Sequence, residues 1–226
     1  MSRQAPRRPA GGHETANDFF RLQDLDRMTK TLFEYDALSR MLSVCAAWLF
    51  RVAGWRIEGA PPKAPKFVVA AAPHTTNWDF LVMLGVVLIV RLPIHWLGKH
   101  TIFRPPFGAI FSRLGGIPID RGKSANVVEQ LVQVFAAHER FALTISPEGS
   151  RRQVGRWKSG FYHIAKGATV PLYLVSVHYP RRTVTIGSPF HPSDDPTADA
   201  QHITAFFATA RGKFLQEPGV IELSNS

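Results

Sequence analysis

The chain has 226 residues, 45% of them hydrophobic, with 27 Lys and Arg against 17 Asp and Glu and a formal net charge of +10. That length predicts one domain able to bury a real core, and a single cysteine, Cys45, excludes an intrachain disulfide framework and any Cys-rich metal site. The excess positive charge and a sequence pI of about 10.3 favour polyanionic partners, nucleic acid and anionic membrane surfaces being the two obvious classes.

Residues 1 to about 20 are polar, contain Pro and Arg and lack an apolar h-region, so they read as a disordered arm without a secretory signal. Residues 21–56 form an N-terminal helical segment, with the helical pattern running over 25–52 in two pieces. Leu38, Met41, Leu42, Cys45, Trp48, Leu49 and Val52 recur there at helical spacing, flanked by Arg40 and Arg51. Such a stripe can pack on a core or lie in a membrane surface, and both readings stand. No segment reaches the roughly eighteen uninterrupted apolar residues of a membrane-spanning helix.

Gly54 ends the helix and Gly59-Ala60-Pro61-Pro62 opens a loop; from there, within residues 57–226, strands and helices alternate. Lys66 to Ala72 is a continuously apolar strand, 80–91 a helix, 94–98 a short strand, 105–114 a helix with Pro at its start and 117–119 a strand. Ser124 can cap a helix whose Val127, Val128, Leu131, Val134 and Phe135 share one face. Phe141 to Ile145 is a strand, 156–166 a helix ended by Gly167, and 170–179 with 183–187 a strand pair turning across Pro180-Arg181-Arg182. A last helix is predicted over 198–215, with Ile203, Phe206, Phe207 and Phe214 inward. This alternation predicts an α/β fold, a mostly parallel sheet flanked by helices with its central strands buried on both faces.

In such folds polar residues gather where the carboxyl ends of strands meet. His74 follows one predicted strand, Lys99 another, Arg121 a third and Ser146-Pro147-Glu148-Gly149 a fourth. His74 and Asp79 enclose Thr75-Thr76-Asn77-Trp78 between a strand and a helix. Imidazole titrates nearest neutrality, and a carboxylate partner fixes its tautomer and stabilises the imidazolium. On one continuous helix, five steps of about 100° would leave the two side chains about 140° apart. They meet only if the chain turns, and Pro73 with Thr75, Thr76 and Asn77 supplies the turn and candidate N-caps. A loop His beside a helix-capping Asp is the plainer alternative.

In Gly115-Gly116-Ile117-Pro118-Ile119-Asp120-Arg121 an Arg comes just after a short strand. Its planar fork suits phosphate, and equally an ion pair with Asp120 or Glu148. In Ser146-Pro147-Glu148-Gly149-Ser150-Arg151, Gly149 lets the backbone approach a ligand and Glu148 can orient a cationic or hydroxyl group. A turn with no catalytic part would read the same way.

Taken together, these segments resemble the lysophospholipid acyltransferase family, the bacterial 1-acylglycerol-3-phosphate acyltransferases in particular. Its HxxxxD block matches His74 to Asp79, its Gly with Arg five residues on matches Gly116 to Arg121, its PEG-Ser/Thr-Arg block matches Pro147 to Arg151, and its apolar-Pro-apolar strand matches Val170-Pro171-Leu172. The blocks stand in the family's order across about residues 66–177, and Trp157-Lys158-Ser159-Gly160-Phe161 also looks like the family. Ser146 stands where the third block usually begins with an aromatic, and Pro118 where a Phe is common; both adjoin the acceptor pocket.

The resemblance implies transfer of a fatty acyl group from a CoA or acyl carrier protein thioester to the hydroxyl of a lysophospholipid. The first acceptor to expect is 1-acylglycerol-3-phosphate, with a lyso-aminolipid or glycolipid as the alternative. It makes His74 the base and Asp79 its holder, and gives Arg121 the acceptor phosphate. Gly116, Glu148, Gly149, Ser150 and Arg151 shape that pocket, and Lys99 serves the phosphate or the donor. Backbone N–H groups at the helix start after His74 and at Glu148-Gly149 are candidate donors to the oxyanion. No cofactor and no metal are expected. The expected partners are the lysophospholipid, the acyl thioester, a membrane surface and, as one donor, acyl carrier protein. The alternative of another class is a basic nucleic-acid- or membrane-binding protein without catalysis, suggested by the charge alone; nucleic acid is not expected as a partner, since the chain lacks a basic recognition helix or an aromatic RNA-stacking motif. The expected place is the cytoplasmic face of the inner membrane, as a peripheral protein, or the cytoplasm.

Overall fold

The strand with the longest unbroken apolar run, Lys66–Ala72, is the strand that neighbours flank on both sides, as burial on both faces requires. The structure is a computed structural model that describes residues 31, 36–119, 127–149, 155–214 and 219–223. Along the chain these form α1 (Asp36–Val52), β1 (Arg56–Glu58), β2 (Lys66–Ala72), α2 (Trp78–Val90), β3 (His95–Lys99), a 3-10 turn (His100–Phe103) and α3 (Gly108–Arg113). There follow β4 (Gly116–Ile119), α4 (Val127–Ala137), β5 (Phe141–Ile145), α5 (Gly160–Gly167), β6 (Leu172–His178), β7 (Thr183–Ile186) and α6 (Pro196–Phe207).

The strands make one sheet in the order β1-β7-β6-β2-β5-β3-β4. β6, β2, β5, β3 and β4 run parallel. β7 returns antiparallel to β6 through the hairpin and β1 pairs parallel with β7, so the two strands at that side of the sheet run opposite to the rest. The sheet is therefore mostly parallel with helices on both faces, as the alternation of strands and helices predicts.

Alternate side chains of β2 enter two cores. Val68, Ala70 and Ala72 join Leu131, Phe135, Phe161, Ile164 and Ile203 from α4, α5 and α6. Phe67 and Val69 join Val82, Val86 and Val87 from α2 and the flank of Phe50 from α1. Each fully buried Leu, Ile or Phe in these layers contributes about 1.5–3 kcal/mol relative to exposure. α2 is apolar nearly all round because it is covered twice, by the sheet beneath and by α1 above. The close crossing depends on Gly85, where an added Cβ would overlap the Phe50 ring. α1 meets α2 through Phe50, and Ala46 is buried, while Met41, Val44, Trp48, Leu49 and Val52 of its apolar stripe stay exposed. Among the described residues, no helix is long and apolar enough to cross a membrane.

Four helical expectations need correction or fall elsewhere. The helix predicted over 198–215 stops at Phe207 and Phe214 is exposed, not inward. Beyond it the chain is drawn to the sheet: the Arg211 N–H donates to Val177 O (3.2 Å) and the Tyr179 N–H to Arg211 O (2.9 Å), so backbone groups that a helix would use are satisfied by β6. The helix predicted over 156–166 begins only at Gly160, because the Trp157 and Lys158 N–H groups donate to Val220 O (3.0 Å) and Pro147 O (2.8 Å). Of 105–114 only Gly108–Arg113 is helical, since two successive prolines lack N–H donors and the second disfavours helix at the first. Ser124, the arm over 1–20 and most of the first helical piece lie outside the described residues, although Thr31 is described and is not helical.

Candidate active site

β2 delivers the chain to the carboxyl edge of the sheet, where Pro73 and His74 leave it and α2 begins four residues later. The turn between them is folded around Asp79. Its Oδ2 accepts the backbone N–H of Thr75 (2.6 Å) and of Thr76 (2.7 Å), and lies 3.5 Å from Nδ1 of His74. A carboxylate in the first turn of α2 is further favoured by the positive end of the helix dipole. Of the three candidate caps, Asn77 takes the N-cap position without a side-chain cap hydrogen bond, and the Thr76 hydroxyl before it accepts the Trp78 N–H at 3.3 Å. His74 and Asp79, five positions apart, thus meet because the chain turns between them.

The second oxygen of Asp79 accepts a hydrogen bond from the Tyr179 hydroxyl. Burial by itself pushes the Asp79 carboxyl up. The donors His74, Tyr179, Thr76 and Thr75 outweigh that and hold its pKa below the ordinary carboxylate value. Burial and the neighbouring Asp79 push the Tyr179 phenol well above its usual range, so it remains a donor. The exposure differs sharply across the pair: 33% of the His74 side chain is open against 7% for Asp79.

Glu148 arrives from the end of β5 on a turn closed by the Gly149 N–H to Ser146 O (3.1 Å). Gly149 has φ +65°, a conformation that suits glycine. Glu148 is buried and its Oε2 accepts the His74 backbone N–H at 2.6 Å. Burial raises its pKa, while that hydrogen bond and the His74 charge pull the other way. The N–H groups of His74, Thr75, Thr76 and Gly149 are thus all committed within the protein. Of the N–H groups expected to face an oxyanion, those of Thr75, Thr76 and Gly149 are held instead by the Asp79 carboxylate and the Ser146 carbonyl.

His74 and Asp79 open onto a cavity of about 2180 Å³ beneath α2, floored by Val69, Ala71, Val175 and Val177 and roofed by Val82 and Val86. Lys99, at the carboxyl end of β3, lines the same cavity, as do Gly149 and Lys158. Gly116 is not brought to it. It sits at the amino end of β4, where an added Cβ would lie 2.7 Å from the Phe103 ring and from Phe111 O, so it is a packing glycine in this fold. Val170-Pro171-Leu172 likewise begins β6 at the end of the sheet away from His74, Pro171 O accepting the Val68 N–H. Arg121, Ser150 and Arg151 lie outside the described residues. Among the described residues, no three His, Cys, Asp or Glu side chains cluster as metal ligands.

Sequence reasoning passed over Tyr179. The signal was present: Tyr179 follows the carboxyl end of β6 just as His74 and Glu148 follow β2 and β5, and as Lys99 ends β3. Thr75 is braced from the same side by the segment after α6, the Lys213 N–H donating to its hydroxyl (3.2 Å).

Residues 56–178 match the family model described as Acyltransferase. No curated protein matches the chain in sequence. Among solved structures the chain is similar to the 1-acyl-sn-glycerophosphate (LPA) acyltransferase PlsC from Thermotoga maritima, with a TM-score of 0.53 at 15% identity, 76% of each chain being covered.

Proposed function

This chain belongs to the acyltransferase family, and from that premise we propose that it transfers a fatty acyl group from an acyl thioester to the hydroxyl of a lysophospholipid, with 1-acylglycerol-3-phosphate the first acceptor to test. The observation that carries the reading is a half-open imidazole set between a buried carboxylate and a large apolar cavity. A hydroxyl attacks a thioester slowly at neutral pH unless its proton is removed as the bond forms. His74 takes that proton on Nε2 while Asp79, on the Nδ1 side, steadies the imidazolium. The new C–O bond forms, the C–S bond breaks, and the departing thiolate receives the proton from His74. Glu148 acts on the backbone of His74 and so sets where the ring stands. The apolar floor beneath α2 suits an acyl chain.

By resemblance, Arg121 takes the acceptor phosphate with Ser150, Arg151 and Lys99 around it. Ser146, where the family usually has an aromatic, puts a buried hydroxyl beside the cavity with no hydrogen-bond partner among the described residues. That spare group favours, as a second reading, an acceptor with a more polar headgroup.

The substrates live in a bilayer, so the enzyme works at one. The stripe Met41, Val44, Trp48, Leu49 and Val52 on α1 supplies an apolar face, and the exposed Arg40, Arg51 and Arg56 supply charge at about 1 kcal/mol each near an anionic surface. These features support a peripheral enzyme on the cytoplasmic face of the inner membrane rather than one free in the cytoplasm.

The test is an acyl-transfer assay with the full chain on anionic vesicles, offering labelled acyl-CoA or acyl carrier protein thioester against lysophosphatidic acid, a lyso-aminolipid and a lyso-glycolipid. Labelled phosphatidic acid and salt-sensitive sedimentation with the vesicles are expected. Product only from another acceptor selects the second reading. Thioester consumption without any acylated lipid makes the enzyme a hydrolase and sinks the proposal.

A further inference from the structure

We propose that Tyr179 is a positioning residue for the base: its hydroxyl holds one oxygen of Asp79 so that the other stays aimed at His74. Oδ2 of Asp79 is shared by the Thr75 N–H, the Thr76 N–H and the His74 ring. A carboxylate tethered by one oxygen can still rotate about its Cβ–Cγ bond, and the hydrogen bond on Oδ1 removes that freedom. Asp79 is buried, so losing the hydroxyl leaves Oδ1 short of a donor that water supplies poorly there. The carboxylate then turns or binds a proton, and in either case the imidazole loses a fixed partner.

Tyr179 is itself built to stay in place. Its N–H donates to Arg211 O at 2.9 Å. Its ring meets the edge of Trp55 with centroids 5.2 Å apart at 86°, and Trp55 in turn rests on Phe50 of α1 at 6.1 Å. Trp55 and Tyr179 flank the segment that matches the family, residues 56–178, one residue outside it at each end. Through Trp55 the support of Asp79 reaches the helix that carries the exposed apolar stripe.

The experiment compares wild type, Tyr179→Phe, Asp79→Asn and the double variant by kcat and KM for both substrates, using acyl-CoA and lysophosphatidic acid on vesicles. Tyr179→Phe keeps the ring on Trp55 and is expected to lower kcat about tenfold, as befits one hydrogen bond to a charged group, with both KM values within about twofold. In the Asp79→Asn background the same change is expected to cost nothing further, because the tyrosine acts only through that carboxylate. An unchanged kcat in Tyr179→Phe, an additive loss in the double variant, or a raised KM at constant kcat each overturns the role. Should Tyr179→Phe fail to fold, Trp55→Ala leaves the hydroxyl but removes its support. It is expected to lower kcat about threefold at constant KM, and no change in kcat refutes the proposal. The role rests on the acyl-transfer reading. A wild type that transfers nothing overturns both, whereas an active wild type indifferent to Tyr179→Phe overturns the role alone.

Discussion

Tyr179–Asp79 and Tyr162–Asp199 are the same two side chains in two settings, one on each face of the sheet. Both carboxylates sit in the first turn of a helix, α2 and α6, and both are buried. Asp199 accepts from the Tyr162 hydroxyl (2.7 Å), the Ser193 N–H (2.7 Å) and the Ser193 hydroxyl (2.9 Å), and it is closed on every side that these bonds occupy. Asp79 accepts from its tyrosine and two backbone N–H groups, and then faces an imidazole that opens onto a cavity. The comparison teaches that a tyrosine bonded to a buried aspartate is a fastener. In the proposed mechanism, chemistry begins where one position around the carboxylate is given to a titratable ring that opens onto the cavity.

The largest effect expected from this contrast is at that ring. His74→Ala should lower kcat by about 10² to 10⁴, the usual contribution of acid–base catalysis, and leave the urea-unfolding midpoint nearly unchanged. A loss below about tenfold would break the comparison, since the two pairs would then differ in setting but not in use. The opposite profile is expected for Asp199→Ala. It leaves the Tyr162 hydroxyl only its longer hydrogen bond to Ser193 O and removes the acceptor of the Ser193 N–H, at a cost of about 2 kcal/mol in a denaturant titration, with kcat per folded molecule held. The smallest effect is expected for Tyr162→Phe, about 1 kcal/mol of stability and no change in kcat. Set beside Tyr179→Phe, it deletes the same oxygen from the other pair, and a comparable fall in kcat would show that the fastener and the site are not separable.

The motif His74 to Asp79 was legible because it is local: a strand, a proline, three turn-formers and a carboxylate lie within a few residues. Lys66–Ala72 and Phe141–Ile145 were legible to the residue, because strands buried on both faces must be apolar throughout. Gly116 shows the limit of motif reading: it matches a block, yet the fold uses it to admit the Phe103 ring. The helix expected over 198–215 failed for a related reason. Its apolar spacing continues to Phe214, but the backbone near Arg211 finds partners on β6 that no local pattern announces.

What the sequence determined by itself is the order of strands and helices, the two-faced burial of the central strands and the meeting of His74 with Asp79, all of which follow from side-chain periodicity and short-range turns. The third dimension alone decided that Tyr179, 100 positions from Asp79, completes that carboxylate's partners. It also decided that Glu148 holds the His74 backbone, and that the apolar stripe of α1 faces outward while its other side covers α2. Those contacts join segments whose neighbourhood is set by strand order in the sheet, and strand order is a property of the packed whole.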